Sequence, residues 1–154
     1  MSRQRDVLKT WLGMLEVTEA IKKRLDMQLR AQFGVSLSGF DILAALHAGD
    51  PKGLRAGVLS QKLRVSDGAT TQLVATLEKT GLIARAKDEN DGRVVLVRIS
   101  EQGLTLFEDM ARAHHAWLLE AFAALKLKDL NQIVSLIGTI DPHALIATKI
   151  TESV

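Results

Sequence analysis

Residues 59–103 read LSQKLRVSDGATTQLVATLEKTGLIARAKDENDGRVVLVRISEQG, and this stretch decides the fold. The apolar residues Leu59, Leu63 and Val65 end at Ser66, whose side chain is suited to accept a hydrogen bond from the first N–H groups of a helix. A new helix is therefore predicted to begin at Ser66 and to end at Gly81 through a left-handed cap. The stretch thus predicts two helices separated by a short turn.

The helix that begins at Ser66 is predicted to have two different faces. Ala69, Thr70, Leu73, Val74 and Leu77 recur at three- and four-residue spacing, which predicts a face packed on a core. The opposite face is small and polar, and it consists of Asp67, Gly68, Thr71, Gln72 and Ala75.

Two strands and a charged turn follow Gly81. Residues 82–87 can alternate as a strand, the polar run 88–92 turns the chain, and residues 93–99 return as a strand rich in β-branched residues. Ser100 is then placed to cap the next helix. Helix, turn, helix and hairpin in this order predict a winged helix-turn-helix, in which the hairpin is the wing. Double-stranded DNA is therefore the leading candidate partner.

The motifs within this stretch resemble those of the MarR family of transcription regulators. They stand in that family's order and spacing, with LSQKL at 59–63, the segment 71–78, GLI at 81–83, DxxDxR at 88–93 and ISxxG at 99–103. The resemblance implies a mostly α fold with a small β wing, formed as one domain of residues 1–154. Within it, a DNA-binding part at 36–100 is flanked by dimerisation helices at 4–32 and 101–150.

The same resemblance implies a function and an arrangement on DNA. It implies a ligand-responsive repressor that acts as a homodimer on a pseudo-palindromic operator. The helix after Ser66 would lie in the major groove, and Arg93 at the wing tip would lie in the adjacent minor groove. Gln72 and Thr76 stand where members often carry Arg or Lys, so the family's base preference does not transfer to this chain.

Positive charge is concentrated in the central segment. The whole chain carries +2, but residues 52–98 hold nine Lys and Arg against five Asp and Glu, so that segment is +4 and the remainder is −2. Cations around a face that has no positive charge of its own suit phosphate anchoring around neutral side chains that read bases. For any one lysine the alternative is a solvated surface. The predicted DNA-binding residues are Lys62, Arg64, Ser66, Asp67, Gly68, Thr71, Gln72, Lys79, Arg85, Lys87, Asp91 and Arg93.

Helical patterns also precede the central segment. Two adjacent apolar stripes between Val7 and Leu29 predict one helix of about residues 4–32 that is buried on two sides. Leu37 and Ser38 are predicted to be the staple residue and the N-cap of a second helix, with Asp41 at the capping-box position. The run DPKG at 50–53 then predicts a loop before a short helix near Arg55–Arg64.

A longer helical pattern follows Ser100. Apolar residues from Leu104 to Leu125 repeat with three-four spacing, and the pattern continues to Ile140, as in a helix that packs on partner helices. Asp141 as an N-cap and Pro142 in the first turn are predicted to restart or kink the helix before Ile150. These faces predict dimerisation, although a monomeric bundle would show the same pattern.

Several other classes are disfavoured by the sequence. The chain has no cysteine, so disulfides and thiolate sites are excluded, and no apolar run approaches the ~20 residues that span a bilayer, so we expect no membrane partner and a cytoplasmic location. No two of the four histidines have the i, i+4 spacing of a zinc pair, and no catalytic motif is present, so no metal, cofactor or enzymatic activity is expected. The alternative to DNA binding is a winged helix used only for protein contacts.

A small-molecule site is implied by the family resemblance alone. Members often hold an aromatic or phenolic effector in a cleft between the dimerisation helices and the DNA-binding part. For each candidate the alternative is ordinary core packing, or, for His114, a pH-sensing role. The residues that could line such a cleft are Trp11, Met14, His47, Met110, His114 and Trp117.

Overall fold

A computed structural model describes residues 2–147 of the chain. In this range the helices are α1 (Arg3–Phe33), α2 (Leu37–Ala48), α3 (Ala56–Leu63), α4 (Asp67–Lys79), α5 (Glu101–Ala121) and α6 (Leu127–Gly138), and a short 3₁₀ helix follows at Pro142–Ala147. The strands β1 (Ile83–Lys87) and β2 (Val95–Ile99) pair antiparallel, with Ile83 opposite Ile99 and Lys87 opposite Val95. The chain divides into two compact units between Leu118 and Leu119. The predicted mostly α fold with a small β wing is confirmed.

Helix α2 lies at the centre of the first unit. Its residues Ile42 and Leu43 are fully buried, and they belong to one core cluster with Leu29 of α1, Leu59 of α3 and Met110 of α5, which are also fully buried. Because α2 also packs on α4 and β2, the helix-turn-helix and the wing are assembled on the same element.

Helix α2 begins earlier than the sequence predicted. Ser36 is its N-cap, since Ser36 Oγ accepts a hydrogen bond from the Gly39 N–H at 3.0 Å. The prediction that Ser38 caps the helix is therefore wrong, and Ser38 lies within the first turn.

A carboxylate from α1 stabilises the same helix end. Asp26 Oδ1 accepts a hydrogen bond from the Leu37 N–H at 2.9 Å, while Asp26 Oδ2 accepts one from Arg30 Nε at 2.9 Å. Leu37 is thus the first helical residue rather than the staple residue, and the predicted capping box with Asp41 is also wrong. The free N–H groups of this end are satisfied by Ser36 and by a neighbouring helix instead.

Helix α1 is buried only near its C-terminal end. Leu25 and Leu29 are 7% and 0% exposed, whereas Val7, Trp11 and Val17 are 56–57% exposed. The predicted burial on two sides is therefore not seen in the single chain. The N-terminal part of α1 extends beyond the core residues, because Trp11 lies ~27 Å along the helix axis from Leu29.

The C-terminal helical pattern is interrupted between α5 and α6. The sequence predicts one pattern through to Ile140, but α5 ends at Ala121 and α6 begins at Leu127. Asp129 Oδ2 accepts a hydrogen bond from the Lys126 N–H at 2.9 Å, which stabilises a new helix start. Asp141 Oδ1 accepts one from the His143 N–H, so the predicted cap at Asp141 is confirmed. The predicted continuation to Ile150 lies outside the described residues.

The wing is fixed to α4 and α5 through backbone contacts. Gly81 has a φ of +78°, and the Leu82 N–H donates to Leu77 O at 3.0 Å, so α4 ends in the predicted left-handed cap. Ser100 Oγ accepts a hydrogen bond from the Gly103 N–H at 2.9 Å, which confirms the predicted cap of α5, and Ser100 Oγ donates to Gly81 O at 2.6 Å. A Cβ on Gly103 would lie 1.9 Å from Leu82 O, so glycine is required where α5 meets the wing.

Candidate nucleic-acid interface

The helix-turn-helix consists of α3, α4 and the turn between them. Ser66 caps α4 as predicted, with its Oγ accepting a hydrogen bond from the Ala69 N–H at 3.1 Å. Between the helices, the buried Ser60 Oγ donates to Thr70 Oγ1 at 2.8 Å, and Thr70 Oγ1 donates to Ser66 O at 3.2 Å. Because this short network is satisfied and buried, it sets the position of α4 on α3.

The outward face of α4 has the predicted composition. Thr70, Val74 and Leu77 are buried, whereas Asp67, Gly68, Thr71, Gln72 and Ala75 are exposed.

This face offers hydrogen bonds without positive charge. Thr71 Oγ1 donates to Asp67 O at 2.9 Å, which leaves the hydroxyl lone pairs facing outward. Gln72 has no side-chain hydrogen bond to any other residue in the range 2–147, so its amide can both donate and accept. The face is therefore suited to read the edges of bases.

Arg64 occupies the turn with a left-handed backbone. Its φ and ψ are 56° and 44°, and it is the one non-glycine residue with positive φ among the described residues. The conformation closes α3, because the Arg64 N–H donates to Gln61 O and the Val65 N–H donates to Ser60 O. Such a backbone costs an L-residue ~1–2 kcal/mol. Arg64 is exposed and lies in the turn between the two helices, two residues after the exposed Lys62.

The wing tip holds an arginine in a defined position. Asp91 Oδ1 accepts hydrogen bonds from the Arg93 N–H at 3.1 Å and from Arg93 Nε at 3.2 Å. These bonds, with a smaller contribution from the nearby charge of Arg55, lower the pKa of Asp91. The Arg93 side chain is 92% exposed, so its terminal nitrogens are available to a partner.

The remaining predicted cations differ in whether they form an ion pair. Arg85 Nε donates to Glu78 Oε2 at 2.9 Å, which connects β1 to α4 across the face next to the wing. Lys79 and Lys87 are exposed and have no ion pair within the described part of the chain. Arg85 thus connects α4 to the wing, whereas the two lysines are available for a partner.

Three further cations lie near the wing that the sequence did not single out. Arg55 is the N-cap residue of α3, and its charge acts on Asp91. Lys52 and Arg98 line a hollow beside the turn of the wing together with Lys87. No local pattern could reveal this group, because it depends on how the loop before α3 packs against β2.

Two of the predicted effector-site residues lie in an aromatic cluster. Phe40 and Phe107 stack with ring centroids 5.5 Å apart, His114 lies 4.9 Å from Phe40, and His47 lies 5.0 Å from Phe107. Burial, and then the charge of His115, lower the pKa of His114 below its usual value. The cluster favours the neutral imidazole.

The other predicted effector-site residues have different surroundings. Met110 is fully buried in the core cluster and Trp117 packs against it, as ordinary core residues would. Met14 is half-buried, whereas Trp11 is exposed and lines a surface groove with Val7 and Leu8.

No helix within residues 2–147 is long and apolar enough to cross a membrane, and no metal-binding group of three His, Asp or Glu side chains is found in that range.

Comparisons with known proteins agree on one family. The MarR family model matches residues 33–94. An HTH-type transcriptional regulator of Mycobacterium tuberculosis is 36% identical over 105 residues, which are 66% of this chain and 72% of that protein. The transcriptional repressor MprA of Escherichia coli is 27% identical over 128 residues, which are 83% of this chain and 72% of MprA.

Solved structures show the same fold. A MarR family regulator from Silicibacter pomeroyi superposes with a TM-score of 0.76 at 29% identity, over 90% of this chain and 94% of that one. The regulator Sco3205 from Streptomyces coelicolor, solved in complex with DNA, superposes with a TM-score of 0.75 at 21% identity, over 90% of this chain and 88% of Sco3205.

Proposed function

This chain belongs to the MarR family of transcription regulators, and we propose that it is a repressor that binds a pseudo-palindromic operator as a homodimer. The observation that carries the proposal is the exposed face of α4, which has no positive charge of its own, together with three exposed cations: Lys62 and Arg64, which precede α4, and Arg93 at the wing tip. The name of the E. coli relative MprA, a transcriptional repressor, supports repression as the direction of control.

The proposal assigns different tasks to different side chains. Thr71 and Gln72 would contact base edges in the major groove, because a glutamine amide can pair with adenine and a hydroxyl can contact any base. Ser66, Asp67 and Gly68 would lie at the groove edge, where the missing side chain of Gly68 allows close approach. The cations Lys62, Arg64, Lys79 and Lys87 would anchor phosphates, and Arg85 would support them through Glu78.

The wing would reach the adjacent minor groove. Asp91 already orients Arg93 through two hydrogen bonds, so the guanidinium would enter the groove with little loss of conformational freedom. A narrow minor groove attracts arginine through its enhanced negative potential.

The apolar surface of α1 supports the proposed homodimer. Large apolar side chains are exposed along the N-terminal half of this helix, and soluble monomers rarely leave a contiguous patch of this kind in water. We assign residues 36–100 to DNA binding, and the helices within 4–32 and 101–150 to dimerisation. The exposed apolar side chains on α1 are Val7, Leu8, Trp11, Leu12, Leu15 and Val17.

A phenolic or aromatic effector would bind at the aromatic cluster. The rings of His47 and His114 flank Phe40 and Phe107, and such a group can stack on an added aromatic ring. Binding there would favour a subunit arrangement with the wrong spacing between the two recognition helices.

Selection of bound fragments from genomic DNA tests the proposed function. We expect enrichment of a pseudo-palindrome whose half-sites are about 10 base pairs apart, or a multiple of that spacing, with binding that weakens steeply as salt rises. Sedimentation at low micromolar concentration should show a dimer. A monomer-sized species would contradict the dimer, and the absence of any salt-dependent DNA complex would favour the winged helix as a protein-contact module.

A further inference from the structure

Three cations converge on one hollow beside the turn of the wing. Lys52, Lys87 and Arg98 line a cavity of about 200 Å³ that is bounded on one side by the turn at residues 88–90. All three residues are exposed, and none of them forms an ion pair with another residue in the range 2–147. The hollow therefore gathers positive charge from three separate segments of chain.

The position of Lys52 is set by backbone hydrogen bonds. The Leu54 N–H donates to Val97 O and the Val97 N–H donates to Leu54 O, both at 2.8 Å, so the loop before α3 lies along the outer edge of β2. Gly53 has a φ of +112°, and a Cβ there would lie 2.6 Å from Val97 O, so only glycine allows this approach. The loop is thus built to hold Lys52 beside the wing.

Two carboxylates also line the hollow, and neither forms an ion pair with a cation of the described residues. Asp88 Oδ1 accepts a hydrogen bond from the Asn90 N–H at 2.8 Å, within its own turn. Neither Asp88 nor Glu89 comes within ion-pair distance of a cation in the described residues. The side chains that line the hollow therefore sum to a positive charge, with donors left for an added acceptor.

The chemistry of the donors indicates a phosphate. An ammonium and a guanidinium can bind different oxygens of the same tetrahedral anion, and a guanidinium can contact two of them. The cavity is smaller than the ~300 Å³ at which small-molecule pockets usually begin, so it suits a single phosphate group rather than a nucleoside.

We propose that this hollow is a clamp for one phosphate of the DNA backbone, at the edge of the minor groove that the wing tip enters. The inference rests on the proposed function and adds Lys52 and Arg98 to its DNA contacts. It assigns Lys87 to the same phosphate, so the three side chains act on one contact rather than on three.

A scan with neutral phosphates tests the clamp. A duplex recovered by genomic selection is synthesised as a series in which one phosphate at a time is replaced by an uncharged methylphosphonate. One replacement in each half-site should weaken binding of the native protein more than it weakens binding of a Lys52→Gln, Arg98→Gln double variant, in which only Lys87 still contacts that phosphate. The double variant should lower the magnitude of the log–log salt slope by up to ~0.9 for each half-site, because the phosphate there keeps only one of its three cations. Lys128→Gln, which removes an exposed cation on α6, is the matched control and should keep the native slope.

The outcomes separate the clamp from the proposed function. If the native protein binds the duplex and no phosphate shows this coupling, the clamp is wrong and the proposed function stands. If the native protein forms no DNA complex, the proposed function itself fails. Titration with inorganic phosphate, followed through the amide NMR resonances of Lys52, Gly53 and Arg98, distinguishes the source of the anion. Saturation by free phosphate without coupling in the scan would overturn the assignment to DNA. As a control for folding, the circular dichroism spectrum of the double variant should match that of the native protein.

Discussion

Replacing Arg64 by glycine and by alanine should separate backbone strain from DNA contact. Both changes remove the charge at the corner between α3 and α4, but only glycine relieves the left-handed backbone at φ 56°. Relief of that strain contributes ~1–2 kcal/mol to folding stability. The greater freedom of glycine in the unfolded chain offsets ~0.4–1 kcal/mol of this gain. The glycine variant should therefore be more stable than the alanine variant by ~0.8 kcal/mol, which is the difference between the midpoints of these two ranges.

The assay compares the two variants at equal protein concentration. For a chain of this length, a difference of this size corresponds to a rise in Tm of ~1–4 °C for glycine over alanine in thermal unfolding. In gel-shift titrations both variants should lose the same amount of DNA affinity, since both lack the same cation. A glycine variant that is no more stable than alanine would refute the strain. A glycine variant that binds DNA as well as the native protein would refute the phosphate contact.

Three further predictions concern the helix caps and the wing. Asp26→Ala should lower the free energy of unfolding by ~0.5–2 kcal/mol in urea titrations, because the Leu37 N–H loses its acceptor. That hydrogen bond lowers the pKa of Asp26 below 3.8, so its contribution to folding stability is complete above pH 3.8 and is lost as pH falls through the folded-state pKa. The difference in unfolding free energy between the native protein and the variant should therefore disappear in acid. A difference that stays constant with pH would contradict the assignment. Gly103→Ala should destabilise the protein by ~3 kcal/mol or more in the same titrations, because the added Cβ would overlap Leu82 O. A urea midpoint equal to that of the native protein would show that α5 does not approach the wing so closely. Arg93→Ala should weaken DNA binding by ~1–3 kcal/mol in a gel shift and leave Tm unchanged, whereas unaltered affinity would remove the wing tip from the interface.

The central part of the fold could be predicted because its elements are marked locally. Ser66, Gly81 and Ser100 each act on backbone groups within a few residues, and the structure shows all three in the predicted roles. The spacing of apolar residues also identified which face of α4 is buried. A capping residue acts on backbone groups close to it in the sequence, and apolar spacing can be read from the sequence directly. Both can therefore be recognised without knowledge of the rest of the fold.

The errors arose where a distant segment decided between local alternatives. Ser36 and Ser38 are both suitable caps for α2, and the helix starts after Ser36, where Asp26 of α1 also accepts a hydrogen bond from the first turn. The break before α6 was missed because apolar spacing continues across it. Lys52 and Arg98 could not be grouped from sequence, since their proximity depends on the pairing of Leu54 with Val97.

The central claim is that the exposed face of α4 reads DNA bases, and Gln72→Ala tests it most directly. The measurement is the ratio of affinity for a selected operator to affinity for unrelated DNA, over a range of salt concentrations. Loss of an amide that pairs with adenine should lower this ratio by ~1–3 kcal/mol with little change in salt slope. Lys79→Ala, as the control, should weaken binding to both DNAs alike and lower the magnitude of the slope by about one unit for each subunit bound. A Gln72→Ala protein that keeps the full native preference for its operator would show that this helix does not read the major groove.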